Sequence, residues 1–594
     1  MSDFKLKTKS SGALRVSLLD EFRGFSARKR GGGATADMGN FKVTANGTLK
    51  KRCGFEKLHE WTENIRGIWH GKLRGRFRLI LCAGREVCEY NIVTNTAQSI
   101  GFLGGAPNEN ENERVNFFAM YGVLYVMDGT DAYAYAADGV PLAPAAAYSP
   151  LLFREINYTG AGLRHELPNI LTDKFRAAYN VNALSATLRL DYPVGGVEKI
   201  LIDGIDRIND FTVTIDPATH YARLAYNSPP NFPFPVSAFE VHARFYGGAV
   251  NMRSEIFRNK YAADFGEDGR IRIFFYGKEN SGAVYFTESI GEYAGLYIPE
   301  RNKIEVGSAG YTVTSVVRQY EELVIFTERD AWAAGKPVKE QAPGHSNVLY
   351  SYPLSVISPN LGHAGRGSVS TANRRLCAAF GSGIYSLPVS RVFDERSVTD
   401  ISERIKEFLG GGFINENLAA LDNPAENELW FANNGIVWIY NYALEAWYRY
   451  TGIDTGGLVE TGGRVIFYGG NALYAFNETL TTDCGRPVTA WWETDFLDFG
   501  LPGANKRFRR LAVSAANGSY SRAVLTADQG GTAVVEGVKY DTGGHNCGSR
   551  RTDINRCKAV RLKLVHDDPN GTCEFISASL SWRSANAAGT VERR

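Results

Sequence analysis

Five histidines and cysteines, which are common zinc ligands, fall within the last 50 positions of the chain. They are His545, Cys547, Cys557, His566 and Cys573. Their separations match none of the short Cys-to-Cys or His-to-His spacings that are typical of structural zinc sites. We therefore expect packed or surface side chains here, and the sequence predicts neither a metal site nor a cofactor.

Paired carboxylates are the groups that cleave glycosidic bonds, but the acidic pairs of this chain are adjacent in sequence. Glu321-Glu322 and Asp567-Asp568 would point to opposite faces of a strand, whereas glycosidases need two convergent carboxylates. The chain also has no Walker loop, no His-Glu-x-x-His and no Gly-x-Ser-x-Gly between a strand and a helix. The sequence therefore predicts a protein that is not an enzyme and has no catalytic residues.

Basic residues are concentrated near the N-terminus, although the net charge of the chain is only +2. Residues 1–80 hold 18 Lys and Arg against 7 Asp and Glu, a net of +11, and the remainder has a net of −9. Arg74, Arg76 and Arg78 alternate, so on a strand they would share one face, opposite Phe77 and Leu79. Three interpretations stay open: nonspecific DNA-phosphate contact, docking onto an acidic subunit, or simple solvation.

The densest aromatic cluster lies between residues 438 and 450 and includes Trp438, Tyr440, Trp447 and Tyr450. Such a cluster could line a carbohydrate site. At strand spacing, however, these side chains alternate, which favours packing between neighbouring sheets. We therefore predict that they fill the core.

Short apolar runs separated by Gly, Asn and Asp turns recur from about residue 65 to residue 476. Groups of these runs end in similar phrases, among them Val87-Cys-Glu-Tyr, Gly383-Ile-Tyr-Ser and Val437-Trp-Ile-Tyr. A recurrence with a period of a few tens of residues and four short strands in each period is typical of β-propeller blades. The sequence predicts an all-β chain with about seven blades.

Two segments depart from this rhythm and divide the chain further. Alternating strands in each of them predict additional β-domains. The predicted organisation is a 1–60 N-terminal extended arm, 61–148 first blades, a 149–250 inserted β-domain, 251–484 remaining blades and a 485–594 C-terminal β-sandwich.

Membrane and secretion signals are not expected from this sequence. No apolar run approaches the ~18 residues of a membrane span. The N-terminus lacks the apolar core of a signal peptide, so we expect synthesis in a cytoplasm.

Three phrases near the N-terminus carry a family resemblance. Their key residues are Gly24, Phe25, Asp37, Asn40, Gly47, Leu49, Arg52 and Gly54. Together they resemble the start of tail-nozzle and packaged-DNA-stabilisation proteins of tailed phages, which open with apolar-Gly-Gly-apolar, Asp-apolar-x-Asn and Gly-x-Leu-x-x-Arg-x-Gly phrases. The departures are Arg23, where a second Gly is common, and Cys53, where Pro is common.

Later phrases are similar to the same family, including Glu445-Ala-Trp-Tyr-Arg-Tyr and Lys506-Arg-Phe-Arg-Arg-Leu. The resemblance implies a homo-oligomeric ring, commonly of six copies, in the head-to-tail junction or tail nozzle of a virion. Portal, adaptor and other tail proteins would be its partners. The ring would retain packaged DNA through nonspecific contact and guide its ejection. The eight N-terminal residues would then serve arm folding and assembly.

A second hypothesis comes from a different functional class. The chain could be a carbohydrate-binding or glycan-cleaving propeller at a tail tip. This alternative predicts a concave aromatic site with two carboxylates ~5–10 Å apart.

Overall fold

The computed structural model shows an all-β chain that divides into two compact units. The first comprises residues 1–70, 92–96 and 367–594, and the second comprises residues 71–91 and 97–366. The described residues are 14–25, 35–104, 114–137, 139–228, 236–248, 251–266, 271–288, 295–307, 310–341, 348–358, 368–372, 375–381, 383–387, 398–410, 412–516, 521–536, 546–552 and 554–584.

Among the described residues, seven four-stranded antiparallel sheets, named blades 1 to 7 in chain order, are the blades of a β-propeller. This confirms the predicted fold class. Blade 1 consists of Ile65–Leu73, Arg76–Ala83, Glu86–Asn91 and Thr96–Phe102, and blade 2 consists of Asn116–Met120, Val123–Met127, Ala132–Tyr135 and Ala143–Pro144.

Blade 3 consists of Tyr261–Phe265, Arg272–Tyr276, Ala283–Phe286 and Lys303–Glu305, and blade 4 consists of Val313–Gln319, Glu322–Thr327, Ala331–Ala334 and Leu354–Ser358. Blade 5 consists of Val369–Ala372, Arg375–Phe380, Gly383–Leu387 and Thr399–Asp400; blade 6 consists of Ala419–Asn423, Glu428–Asn433, Ile436–Asn441 and Ala446–Thr451; and blade 7 consists of Gly457–Thr461, Arg464–Gly469, Ala472–Asn477 and Gly54–Glu60.

Blade 6 illustrates why these sequences fold into blades. Its second strand, Glu428–Asn433, is buried at every position, as expected for a sheet covered on both faces. Asn434 and Gly435 both have positive φ, which suits the tight hairpin that joins this strand to the next. Within the first unit, the first strands of blades 5, 6 and 7 contact one another in succession, so these blades are arranged side by side.

Blade 7 combines strands from distant parts of the chain. Three of its strands lie between Gly457 and Asn477, and the fourth, Gly54–Glu60, pairs antiparallel with Ala472–Asn477. Phe55 on the N-terminal strand lies opposite Phe476 and contacts the rings of Phe467 and Phe476. The N-terminal strand therefore completes a blade whose other strands are synthesised much later.

The inserted domain has its own hydrophobic core, which includes Phe175, Leu224 and Val241. A six-stranded sheet and a three-stranded sheet enclose this core. The first contains, in spatial order, Leu163–Arg164, Leu151–Ile156, Lys174–Tyr179, Phe239–Phe245, Val194–Ile202 and Ile205–Asp206; the second contains Thr187–Leu190, Ala222–Tyr226 and Phe211–Ile215.

The C-terminal β-sandwich includes strands from the predicted N-terminal arm. Sandwich sheet A contains Arg15–Leu19, Phe41–Val43, Leu49–Lys51, Lys506–Ala516, Asn546–Arg551 and Glu574–Ser584; sandwich sheet B contains Thr35–Gly39, Ala490–Thr494, Val560–His566, Ser521–Ala527 and Thr532–Glu536. Phe41 packs edge-on against Phe575 in the shared core. The four strands between Arg15 and Lys51 thus belong to this chain's own sandwich. They differ from the extended arm expected from sequence because their pairing partners are distant in sequence.

Helices in the described part of the chain are few and short. One α-helix there spans Arg253–Phe257, and 3₁₀ turns span Val181–Ala183, Ile208–Asp210, Tyr246–Gly248 and Lys406–Phe408. Two additional hairpins are formed by Val338–Gln341 with Val348–Ser351 and by Thr482–Asp483 with Arg486–Pro487. Among the described residues, no helix has the length and apolarity needed to cross a membrane.

Candidate functional site

Residues of the N-terminal phrases meet blade 6 and the sandwich in a polar cluster that we call the N-terminal junction. It consists of Asp37, Asn40, Arg52, Arg449, Asp483 and Trp491. Asp37 lies on the first strand of sandwich sheet B. One of its carboxylate oxygens accepts a hydrogen bond from Arg449 at 2.6 Å, and the other accepts from Trp491 Nε1 at 2.8 Å. Asp37 therefore bridges blade 6 to the sandwich.

Asn40 occupies the centre of the N-terminal junction and is almost fully buried. Its φ of 58° lies in the left-handed region, which asparagine tolerates better than most residues. Its amide nitrogen donates to the Thr489 carbonyl at 2.8 Å and to the Thr451 hydroxyl at 3.0 Å. Its amide oxygen accepts from the Arg52 Nε and the Thr451 backbone N–H, each at 2.9 Å. Every side-chain hydrogen-bonding group of Asn40 is thus satisfied within the chain.

Arg52 is 4% exposed and uses all five guanidinium donors. Two N–H groups bind the carboxylate of Asp483 in a bidentate pair, at 2.8 and 2.5 Å. The others donate to Asn40 and to the carbonyls of Cys53 and Thr451. A buried guanidinium is stable only when it is paired and hydrogen-bonded in this way. Arg52 therefore fastens the N-terminal segment between blades 6 and 7.

Gly24 and Phe25 dock directly onto blade 6. The Phe25 N–H donates to the Trp447 carbonyl at 3.0 Å, and the Phe25 ring packs against Phe408 and Trp438. A Cβ atom on Gly24 would overlap the backbone carbonyl oxygen of Trp447. Glycine is therefore required here for close backbone approach.

The remaining phrase residues hold the turn that follows. Gly47 has a φ of 75°, and its carbonyl accepts from the Phe22 N–H at 2.8 Å. Leu49 is fully buried in the sandwich core. A Cβ on Gly54 would overlap the carbonyl of Thr482. All eight residues taken from the family resemblance thus make contacts within their own chain.

The three alternating arginines do not form one row. Arg74 lies in the turn before the strand Arg76–Ala83 and has a φ of 46°. Arg76 is exposed, whereas Arg78 Nη1 donates to both carboxylate oxygens of Glu89, at 2.8 and 2.9 Å. The expected common face is wrong for Arg74, because the hairpin turn begins there. Their contact with DNA or a subunit stays a prediction.

The aromatic cluster lies inside blade 6 and against the N-terminal segment. Trp438, Trp447 and Tyr450 are each at most 4% exposed, and Tyr440 is partly buried. Trp447 Nε1 donates to the Ile401 carbonyl at 2.7 Å, and Tyr440 stacks at a tilt on Trp447. These rings pack the core and do not form an exposed aromatic surface.

Two carboxyl groups of blade 6 have raised pKa values. Burial raises the pKa of Glu428, whose oxygens accept from the Tyr448 hydroxyl and from Trp430 Nε1. Burial also raises the pKa of Asp422 to about 6. One Asp422 oxygen has no hydrogen-bond partner. Glu428 is committed to the core, so Asp422 is the carboxyl group of this pair with free hydrogen-bonding capacity.

Three of the five histidines and cysteines near the end of the sequence, Cys557, His566 and Cys573, are buried in the sandwich. The Lys51 ammonium lies 3.2 Å from His566 Nδ1, and burial together with this charge lowers the pKa of His566 to about 4. Burial raises the pKa of the Cys557 thiol to about 11 and that of Cys573 to about 12. His545 and the side chain of Cys547 lie outside the described residues. Within the described part of the chain, no group of three potential ligands is clustered.

The sequence did not predict the hydrogen-bond partners of Asp37 and Arg52. Arg449, Asp483 and Trp491 complete the N-terminal junction, yet they lie 412, 431 and 454 positions from their partners along the chain. Arg449 falls within the phrase Glu445-Ala-Trp-Tyr-Arg-Tyr, which resembles the family, and this was the one available signal.

Comparisons with known proteins give likenesses of fold alone. No family model and no curated protein matches the chain. Among solved structures, a galactose-bound exo-β-1,3-galactanase from Phanerochaete chrysosporium is 12% identical, with 54% of this chain and 95% of that chain covered and a TM-score of 0.21. The AfRom2 CNH domain is 8% identical, with 71% and 99% covered and a TM-score of 0.34. A Bacillus subtilis arabinoxylan arabinofuranohydrolase is 12% identical, with 88% and 96% covered and a TM-score of 0.21.

Proposed function

We propose that this chain is a noncatalytic structural protein of a tailed phage or prophage virion. It forms a homo-oligomeric ring, of six copies, in the head-to-tail junction or tail nozzle, where it retains packaged DNA and guides its ejection. The N-terminal junction is the observation that carries the proposal. Residues of two of the three phrases that resemble tail-nozzle proteins, Asp37, Asn40 and Arg52, converge there on one hydrogen-bonded network.

The physical properties of the fold suit this role. Antiparallel blades leave only short strand edges, which limits uncontrolled pairing with other chains. The N-terminal junction ties the segment before blade 1 to blade 6 and to the sandwich through a bidentate ion pair and a saturated asparagine. We expect these contacts to oppose local unfolding under load, which a conduit for pressurised DNA requires.

The proposal is tested on particles that lack this chain. We expect them to package DNA but to lose it, so the nuclease-resistant DNA per particle falls well below that of complemented particles. Full DNA retention without the chain would contradict the proposal. Mass photometry of the purified protein, where a species of six chain masses is expected, tests the ring separately.

A glycan-cleaving tail-tip propeller is the second candidate function. The observation that favours it is the raised pKa of Asp422. A carboxyl group with a pKa of about 6 resembles the general acid of a glycosidase. Hydrolysis of a panel of bacterial polysaccharides by the wild-type chain, abolished in Asp422→Asn, would support this candidate. Under our leading proposal, neither protein shows hydrolysis.

A further inference from the structure

One end of the outer face of sandwich sheet A carries a cluster of arginines. The cluster consists of Arg507, Arg509, Arg510, Arg551 and Arg583. Arg509 is half-buried, and the other four are exposed. We call this surface, together with Val16 and Leu18 described below, the arginine face.

Strand register places these like charges directly opposite one another. Arg507 lies opposite Arg583, and Arg510 lies opposite Arg551. Directly opposed residues in antiparallel strands have Cβ atoms ~5 Å apart, where like charges are destabilising. Desolvation and the guanidinium groups of three of these neighbours lower the pKa of Arg509. The opposed arginines therefore repel one another, and this repulsion destabilises the sheet without any structural benefit among the described residues.

A β-bulge sets the direction of the arginine side chains. The ladder pairs Phe508 with Trp582 and then Arg510 with Ser581, so Arg509 is an extra residue. The bulge shifts the alternation by one position, which keeps Leu511 in the core and turns Arg510 outward. Without it, strict alternation would bury Arg510 and expose Leu511.

The cluster is not neutralised by the described part of the chain. No ion pair joins any of the five arginines to a carboxylate among the described residues, although Arg507 Nε donates to the Asn555 side chain. The inserted domain behaves differently, since Lys174 and Arg244 on its six-stranded sheet both pair with Glu198. The arginine face is therefore left open to an acidic group from outside these residues.

The rest of the face identifies the kind of partner. Cross-strand neighbours form two adjacent rows of side chains over this face. The first row contains, in order, Val16, Ser581, Arg510 and Arg551, and the second contains Leu18, Ser579, Ala512 and Ser549. Val16 is 41% exposed and Leu18 is 37% exposed, so aliphatic side chains border the cationic end across a flat strip of small residues. Arginine beside apolar surface is typical of protein interfaces, whereas a nucleic-acid backbone gains little from an aliphatic border.

We propose that the arginine face binds an acidic segment of a partner protein. Carboxylates of that segment pair with Arg507, Arg510 and Arg551, while its aliphatic side chains cover Val16 and Leu18. Residues 1–13 and 585–594 do not suit the role by charge, because the first segment holds three lysines against one aspartate and the second holds two arginines against one glutamate. The inference depends only on this face and not on the virion role proposed above.

Fluorescence anisotropy on the full chain tests the proposal with a labelled Glu-Leu repeat peptide as the probe. The same peptide with Gln in place of Glu is the matched ligand control. We expect the triple variant Arg507→Gln, Arg510→Gln, Arg551→Gln to weaken binding at least about tenfold, and Val16→Ser with Leu18→Ser to weaken it about threefold or more. Arg189→Gln, Arg207→Gln, Arg223→Gln in the inserted domain makes the same charge change and should bind like wild type.

Thermal unfolding separates lost binding from lost structure. Because the triple variant relieves like-charge repulsion, its melting temperature at low salt should equal or exceed that of wild type. Equal binding of the Glu and Gln peptides, or unchanged binding by the triple variant, would overturn the proposal. A short DNA duplex that binds while the Glu peptide does not would make the surface a nucleic-acid site. A change of oligomeric state in the triple variant without any probe would assign the face to a second copy of the chain.

Discussion

Arg52 distributes its five donors over three carbonyl or amide oxygens and one carboxylate, so no other side chain can replace it without leaving buried groups unpaired. We expect Arg52→Lys to lower the free energy of unfolding by about 2–3 kcal/mol, because lysine keeps the charge but loses the bidentate fork. Urea unfolding followed by tryptophan fluorescence measures the change. Arg486→Lys, at an exposed position of the same region, is the matched control, and equal midpoints for both variants would contradict the role of Arg52.

His566 makes the sandwich sensitive to acid. Its pKa of about 4 in the folded chain lies below the ~6.5 of an unfolded histidine, so between these values only the unfolded chain binds the proton. We therefore expect the free energy of unfolding to fall by about 2 kcal/mol as the pH is lowered from 7 to 5.

Urea unfolding at the two pH values, compared between wild type and His566→Gln, measures this contribution. The comparison is needed because Asp422, whose pKa is raised, titrates with the opposite sign. An identical pH dependence in the two proteins would refute the assignment to His566.

At the level of strands, Gly24 fixes how the N-terminal segment docks on blade 6. A Cβ atom there overlaps the carbonyl of Trp447, so Gly24→Ala should displace Phe25 and lower the free energy of unfolding by about 2–4 kcal/mol. Hydrogen–deuterium exchange of the 14–25 segment measures the loss of docking. Gly503→Ala, where a Cβ meets no atom within 4 Å, should exchange like wild type, and unchanged protection in Gly24→Ala would rule out the close approach.

Blade strands could be predicted from sequence because their partners are local. The hairpin at Asn434-Gly435 joins two strands that pair residue by residue, so apolar runs and turn residues specify the sheet together. The strand Thr35–Gly39 could not be predicted in this way, since its partner Ala490–Thr494 lies in the last quarter of the chain. For the same reason, Asn40 and Arg52 were identified by resemblance, while Asp483 was not identified at all.

At the scale of the whole chain, the uneven charge distribution has a structural explanation. Part of the N-terminal excess of +11 is paired with later acidic residues, through Arg52 with Asp483 and Lys42 with Glu426. Other basic residues of this region, including Lys51, are buried. The charge count predicts a basic arm. In the structure, several of these basic residues attach the N-terminal segment to the rest of its unit.

The inserted domain should fold without the remainder of the chain. Its core is formed by its own residues, and both of its sheets lie between Leu151 and Phe245. We expect a fragment of residues 150–248 to give a β-rich circular dichroism spectrum and one cooperative thermal transition. A fragment with Leu224→Asp, which places a charge in that core, should remain unfolded. A noncooperative melt of the unmodified fragment would show that the domain depends on its neighbours.

Blade 7 can fold only late in the synthesis of the chain. The strand Gly54–Glu60 leaves the ribosome early, but its partner Ala472–Asn477 follows only after about 400 more residues, which takes roughly 20–80 s at typical translation rates. Throughout that interval this strand, whose Phe55 side chain is buried in the folded chain, stays unpaired, together with the N-terminal strands of the sandwich. A nascent chain that stops anywhere before residue 472 cannot complete the blade. The architecture therefore delays completion of blade 7 until translation has passed residue 477, and we expect the yield of folded protein to rise when chaperones protect these early strands.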